Sequence, residues 1–417
     1  MDINRLLDSE FVKNIEKYLQ LDLRYYIRNY FYLIVAEVVT MALGLGLSVA
    51  FARLLPKELY GHWNYIFSVI GILTIFTLPG MNTAITQAVA RGHEKVLIEG
   101  TKQRFKWSTL GSISVLGVGI YYFLTGSIEL GKAFMVFTLF LPFYENFQTY
   151  TAFLSGKKQF DKFALYRSIT QIISVLVTVI VMYLSRNLLL ILTANLLSFS
   201  LFRGYFFKLT AKNMEAQSDD PEVIPFGKRL TALEIPSVIR GNYVKIIVGI
   251  FLSFQELAIY SIAFIIPDFL VSLLDKIVPL TLPKLAAMDE KRAYSEVRKR
   301  YIYLVLGSAA ISGVFILVCP YLLPFLYSSK YVDSVLYAQI LLIANIFGIP
   351  TRFLQKSLLP AQKKVKELFK LQIAALMAEV ILLIILVSAL GLLGVVITRT
   401  LVSLLSMVYS WRLMKWI

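Results

Sequence analysis

The 417-residue chain has one cysteine, Cys319, and two histidines, His62 and His93. A lone thiol excludes an intramolecular disulfide and a cysteine cluster, and two distant histidines do not make a metal site. Charge is scarce too: 16% of residues are charged against 58% hydrophobic, with a mean hydropathy of +0.69. These values lie outside the range of soluble globular proteins. Also missing are a Gly-rich phosphate loop, a Ser, His and Asp set suited to nucleophilic catalysis, and any outer loop long enough to fold a catalytic domain. The chain therefore reads as a non-enzymatic, polytopic membrane protein without a cofactor.

What it has in quantity is apolar sequence. About 20 residues are needed to cross about 30 Å of hydrocarbon, and twelve runs meet that length, at roughly 29–52, 60–88, 107–126, 132–155, 164–185, 187–207, 229–252, 257–285, 300–325, 333–359, 367–390 and 392–415. The expected fold is all-α, with about 12 transmembrane helices. Pro79, Pro142, Pro236, Pro267, Pro320 and Pro350 fall inside these runs and predict kinks or breaks. The first run follows a charged leader without a small-residue cleavage site, so it is expected to be a retained helix.

The net charge of +16 comes from 42 Lys and Arg against 26 Asp and Glu. With the N-terminus inside, the leader, inner loops and tail hold 31 of the basic residues, the outer loops five and the spans six. That asymmetry is the positive-inside pattern and predicts cytoplasmic termini in a plasma (inner) membrane protein. It accounts for the charge without nucleic acid.

Apolar residues Leu7, Phe11, Ile15 and Tyr18 suggest an amphipathic interfacial leader over 1–28. The longest polar stretch, 208–227, reads as a cytoplasmic linker between an N-terminal six-helix lobe (29–207) and a C-terminal one (228–417). A weak repeat supports the division: residues 57–60 resemble 255–258, and 156–160 resemble 361–365. Substrate sites in transporters lie at such repeat interfaces.

Six basic residues lie inside expected spans, all in the second half: Arg240, Lys245, Lys276, Arg352, Lys356 and Arg399. A charge at the bilayer centre costs about 2.5–3.5 kcal/mol, so the deep ones must face protein or water. Lys276 and Lys356 are near enough to an interface to act as anchors. Helical spacing places Ser237 and Lys245 on one face with Arg240 beside it, and Asn345, Arg352 and Lys356 on another. Gln148 and the carboxylates Glu37, Glu145, Asp268 and Glu379 complete the embedded polar set. Cations in a cavity point to an anionic cargo. Arg240, Lys245, Arg352 and Arg399 are the candidate phosphate contacts, and Asn345, Gln148 and Ser237 the candidate sugar contacts. The four carboxylates are candidates for coupling to H⁺ or Na⁺.

The stretch Phe51–Gly61, followed by a span and Pro79–Ala84, is similar to the opening of polysaccharide-type (Wzx-like) oligosaccharide flippases. These belong to the multidrug/oligosaccharidyl-lipid/polysaccharide (MOP) exporter superfamily. Ser155–Phe160, Glu256–Ala263, Pro324–Tyr331 and Leu390–Gly394 extend the resemblance along the chain. It implies a MATE-like, V-shaped bundle of two lobes and a polyprenyl-(pyro)phosphate-linked oligosaccharide as cargo. Membrane lipids and the glycan polymerase and glycosyltransferases of the same pathway would be its partners. Two alternatives stand beside a flippase: a cation-coupled multidrug exporter of the same fold, which the embedded cations disfavour, and a membrane glycan polymerase or ligase, which the short outer loops disfavour.

Overall fold

The computed structural model describes residues 23–215 and 218–416, so most of the leader expected over 1–28 lies outside the described residues. All regular structure among them is helical. In lipid this is the economical solution, because a helix satisfies its own backbone polar groups. The helices are α1 (Leu23–Leu54), α2 (Lys57–Leu73), α3 (Met81–Ala90), α4 (Val96–Leu124), α5 (Ile128–Asn146), α6 (Thr149–Gly156) and α7 (Phe160–Leu184). They continue with α8 (Leu188–Lys212), α9 (Val223–Phe251), α10 (Phe254–Ala286), α11 (Glu290–Tyr327), α12 (Asp333–Phe353), α13 (Val365–Leu390) and α14 (Leu392–Trp416).

Among the described residues, ten helices are long and apolar enough to cross a membrane, against twelve expected. The other two expected spans are helical but differ in kind. The run at 132–155 breaks after Asn146 into α5 and α6, and α9, over the run at 229–252, carries Arg229, Glu234, Arg240 and Lys245.

The prolines act unequally. Pro79 ends a helix: α2 tightens into a 3₁₀ turn at Thr74–Thr77, and Leu78 takes a positive φ of 54°. Others stay inside helices, where the missing N–H leaves the carbonyl four residues earlier without its partner. Neighbouring helices supply the replacement. Ser112 Oγ donates to the Thr138 carbonyl freed by Pro142, at 3.1 Å, and Ser308 Oγ to the Ile346 carbonyl freed by Pro350, also at 3.1 Å. Gln339 Nε2 donates to the Ile316 carbonyl freed by Pro320, at 3.0 Å. Beyond Pro350 the helix widens into a π-helical stretch, Leu354–Leu358.

The chain forms two compact units, and their borders differ from the expected lobes. The first comprises 1–54 and 70–239, the second 55–69 and 240–417. Most of α2 therefore belongs to the second unit, and α9 divides at Ile239. In the first unit α4 packs on α5, α1 on α7, and α8 on α5 and α7. A buried cluster around Met81, Ile85, Tyr150, Phe153 and Phe206 closes one end. The segment between α8 and α9, inside the first unit, is held rather than loose: Glu94 takes the Lys157 ammonium at 2.5 Å and the Glu215 amide at 2.8 Å, while Ser218 Oγ donates to the Gly92 carbonyl at 2.9 Å. Its hydrogen bond to Glu94 holds Lys157 above the usual lysine pKa range.

In the second unit α12 is central, packing on α10, α11 and α14, with α13 against α14. Gly61 lets α2 approach the start of α10 so closely that a Cβ there would sit 1.8 Å from the Phe254 carbonyl oxygen. The repeat read at 156–160 and 361–365 has a structural counterpart. Lys158 and Lys363 have φ of 58° and 56°, and each turn closes with a 2.9 Å backbone bond, Gln159 to Leu154 and Lys364 to Leu359. A left-handed residue at a helix end captures carbonyls that the last turn leaves open.

Candidate functional site

The second unit gathers embedded charge from α9, α10, α12, α13 and α14. Glu379 of α13 is its most buried member, with a side chain 2% exposed. Its Oε1 accepts from Arg399 Nη1 of α14 at 3.0 Å, and its Oε2 faces Arg240 Nε of α9 at 3.9 Å without accepting a hydrogen bond. The two guanidiniums are 29% and 35% exposed, so donors remain free on both. Arg399 also lies 5.8 Å from the centre of the Phe264 ring, an arrangement that orients the guanidinium plane.

Asp275 of α10 repeats this design. Its Oδ2 receives Arg352 Nη1 of α12 at 3.1 Å and Lys356 Nζ of the π-helical stretch at 2.6 Å, while Oδ1 accepts no hydrogen bond. Arg352 and Lys356, four residues apart, lie on one helix face and converge on one oxygen. Each triad is one carboxylate holding two cations, with a net charge of +1.

Lys245 makes no ion pair within 4 Å among the described residues, and Asp268 is the carboxylate in its electrostatic field. Asp268, exposed on mid-span α10, also feels Arg352 and Arg399. A charge at that depth facing hydrocarbon would carry the full insertion cost, so this face is protein-lined or wet. Five cations, Arg240, Lys245, Arg352, Lys356 and Arg399, stand against Glu379, Asp268 and Asp275. The surplus is positive. The side chain of Lys276 lies outside the described residues.

The other candidates are placed differently. Asn345 Nδ2 donates to the Pro267 carbonyl at 2.8 Å, a bond that ties α12 to α10. Gln148 and Ser237 belong to the first unit, where Gln148 Nε2 donates to Glu145 Oε2 at 3.1 Å and Ser237 is exposed on α9. Glu37 meets Arg167 Nη2 at 3.4 Å in the same unit.

Embedded cations are not confined to the second half. Arg104, assigned by the charge pattern to an inner loop, is 0% exposed within α4. Its guanidinium donates to the Thr77 carbonyl at 2.8 Å and Asn82 Oδ1 at 2.7 Å, closing the break at Pro79. Arg203 of α8 donates to the Tyr144 carbonyl and lies 4.5 Å and 4.8 Å from the Tyr144 and Phe199 rings. Both were hidden because each sits in a cluster of basic residues near a helix end. A signal existed for Arg104: the helix break at Pro79 leaves carbonyls that need a donor.

A family model described as "Polysaccharide biosynthesis protein" matches residues 50–336. The fold is similar to that of a lipid II flippase, MurJ, in an inward closed conformation, at 16% identity, a TM-score of 0.64, and coverage of 93% of this chain and 87% of that one. It is also similar to a eukaryotic MATE transporter at 15% identity and a TM-score of 0.63, covering 92% and 95%. A third similar structure is a MOP superfamily transporter from Pyrococcus furiosus, described as having a binding pocket of reversed polarity, at 14% identity and a TM-score of 0.52, covering 94% and 95%. These likenesses establish the fold. No curated protein is significantly similar in sequence.

Proposed function

The chain belongs to the polysaccharide biosynthesis protein family, and from that premise we propose that this multi-pass membrane transporter of the MOP superfamily flips a polyprenyl-(pyro)phosphate-linked oligosaccharide from the inner to the outer leaflet. The observation that carries the reading is the pair of triads, in which Glu379 and Asp275 each hold two cations with donors to spare. A permanent surplus of positive charge in the membrane is costly unless an anion shares the space. A pyrophosphate supplies that anion, and arginine matches its oxygens in fork geometry.

In this mechanism Arg399 and Arg240 exchange Glu379 for phosphate oxygens, and Arg352 exchanges Asp275. The carboxylates offset part of the positive charge of the empty site and compete for the arginines, so binding stays reversible. Of the four candidate carboxylates, Asp268 and Glu379 share this cluster, and uptake of H⁺ or Na⁺ by them would bias that competition. Alternating access of the two lobes carries the headgroup across while the polyprenyl tail stays in lipid, with both termini in the cytoplasm of a plasma-membrane protein. The glycosyltransferases that build the cargo act before this step and a glycan polymerase after it.

The test is a vesicle assay with purified chain and a fluorescent lipid-linked oligosaccharide, read by protection of the label from an external quencher. Wild type moves the label, and Arg399→Ala and Arg240→Ala do not. Unchanged flipping in both variants overturns the reading.

A further inference from the structure

A cavity of the second unit lies between α13 and α14, apart from the charged cluster. Its volume is about 420 Å³. Ala374, Ala375 and Ala378 form one wall and Val402, Leu405 and Tyr409 the other. The groove exists because three alanines stand on one face of α13, where leucines would close it against α14. Around it Met377, Ile381, Leu401 and Val408 are exposed, so the groove sits on an apolar surface of the kind that faces hydrocarbon.

One end is basic. Arg412 lines the cavity itself, and it makes no ion pair among the described residues. Because α13 and α14 are joined at Gly391 and contact each other along their length, the start of α13 lies beside the end of α14. This brings the exposed Lys366 and Lys370 to the Arg412 end. Glu367 stands on the same turn within the field of Lys364, which leaves the end cationic. Tyr409, next to Arg412 on the groove face, is an amphipathic ring of the type that marks the headgroup level.

We infer that this groove seats one acyl chain of an anionic phospholipid, with the phosphodiester against Arg412 and the flanking lysines. Apolar volume selects the chain, and the basic end selects headgroup charge. A zwitterionic lipid satisfies only the first. The groove shares no lining residue with the charged cluster and places an anionic lipid where it holds α13, which carries Glu379, to α14, which carries Arg399.

The experiment uses the purified full chain in detergent, with native mass spectrometry and thermal unfolding against phosphatidylglycerol and phosphatidylcholine of identical chains. Wild type retains phosphatidylglycerol preferentially and unfolds at higher temperature with it. Arg412→Gln, at an exposed position, weakens that retention about fivefold, the order expected for one basic contact to an anionic headgroup, and leaves phosphatidylcholine unaffected. Ala378→Leu fills the groove and lowers retention of both. Equal retention of the two lipids by wild type, or wild-type preference in Arg412→Gln, overturns the inference. So does displacement of phosphatidylglycerol by equimolar polyprenyl phosphate, which assigns the groove to the cargo tail. No arm reads flipping, so failure here and failure of the flippase reading are distinguishable.

Discussion

Arg399→Ala separates a structural ion pair from a cargo site. The substitution leaves Glu379, 2% exposed, with Arg240 at 3.9 Å as its remaining cation. Stranding a buried charge costs about 3–5 kcal/mol; with Arg399 itself 29% exposed and Arg240 still near, the low end, about 3 kcal/mol, is expected. Cargo affinity falls separately. A charge-assisted hydrogen bond contributes about 1.5–3 kcal/mol, so affinity for the pyrophosphate lipid drops about 10- to 150-fold. Glu379→Gln distinguishes the two effects because it also destabilises, yet it frees both arginines and lifts a repulsion on the order of 1–2 kcal/mol, tightening cargo binding about tenfold. The double variant Arg399→Ala/Glu379→Gln recovers stability and not affinity. Thermal unfolding and titration with a fluorescent lipid pyrophosphate measure the two quantities on the same preparations. If Arg399→Ala lowers stability while affinity and flipping stay at wild-type values, the Glu379 triad is a helix staple and the cargo reasoning is wrong.

Further outcomes follow from the packing. Ser308→Ala leaves the Ile346 carbonyl without its substitute donor and costs about 0.5–1.5 kcal/mol; in a Pro350→Ala background, where the introduced alanine supplies its own N–H, the cost vanishes, and a double-mutant cycle in thermal unfolding reads the coupling. Gly61→Ala forces a Cβ to 1.8 Å from the Phe254 carbonyl oxygen and abolishes accumulation of folded protein, measured by size-exclusion of the detergent extract. The raised pKa of Lys157 means that its bond to Glu94 contributes fully below the unfolded value, about 10.4, and is lost as pH rises through the higher folded value. Protease cleavage within 213–222 should therefore rise only at strongly alkaline pH in wild type and already be high at pH 8 in Lys157→Met. Equal cleavage of the two proteins at pH 8 refutes the clasp.

Much of the fold was legible because a membrane restricts the choices. Hydrophobic length identifies spans without knowledge of their partners, and Leu176 or Ile384 can face lipid or protein without changing the reading. The exceptions are the broken run and the charged one. A run such as 132–155 has the length of a span, yet whether it breaks at Phe147 depends on buried contacts: Asn146 donates to Ser108 Oγ at 2.9 Å, and Thr149 to the Asn146 carbonyl at 3.0 Å. The charged residues of the site were legible as types and depths, and their partners were not. Arg399 and Glu379 are on consecutive helices, but Arg352 and Asp275 are 77 positions apart and share no pattern. Asn345 illustrates the limit, since helical spacing marks it as an embedded polar side chain without showing that it donates to the Pro267 carbonyl.

By itself the sequence determined the phase the chain lives in, its helical class and its charge asymmetry. These follow from composition and length, because the cost of an unsatisfied backbone or an embedded charge in hydrocarbon is local. The tertiary structure alone decided that Glu379 and Asp275 each hold two cations, that Arg104 closes a helix break, and that α2 joins the second unit. Those depend on which helices become neighbours, and pairing energies between side chains far apart in the chain leave no periodic trace in it.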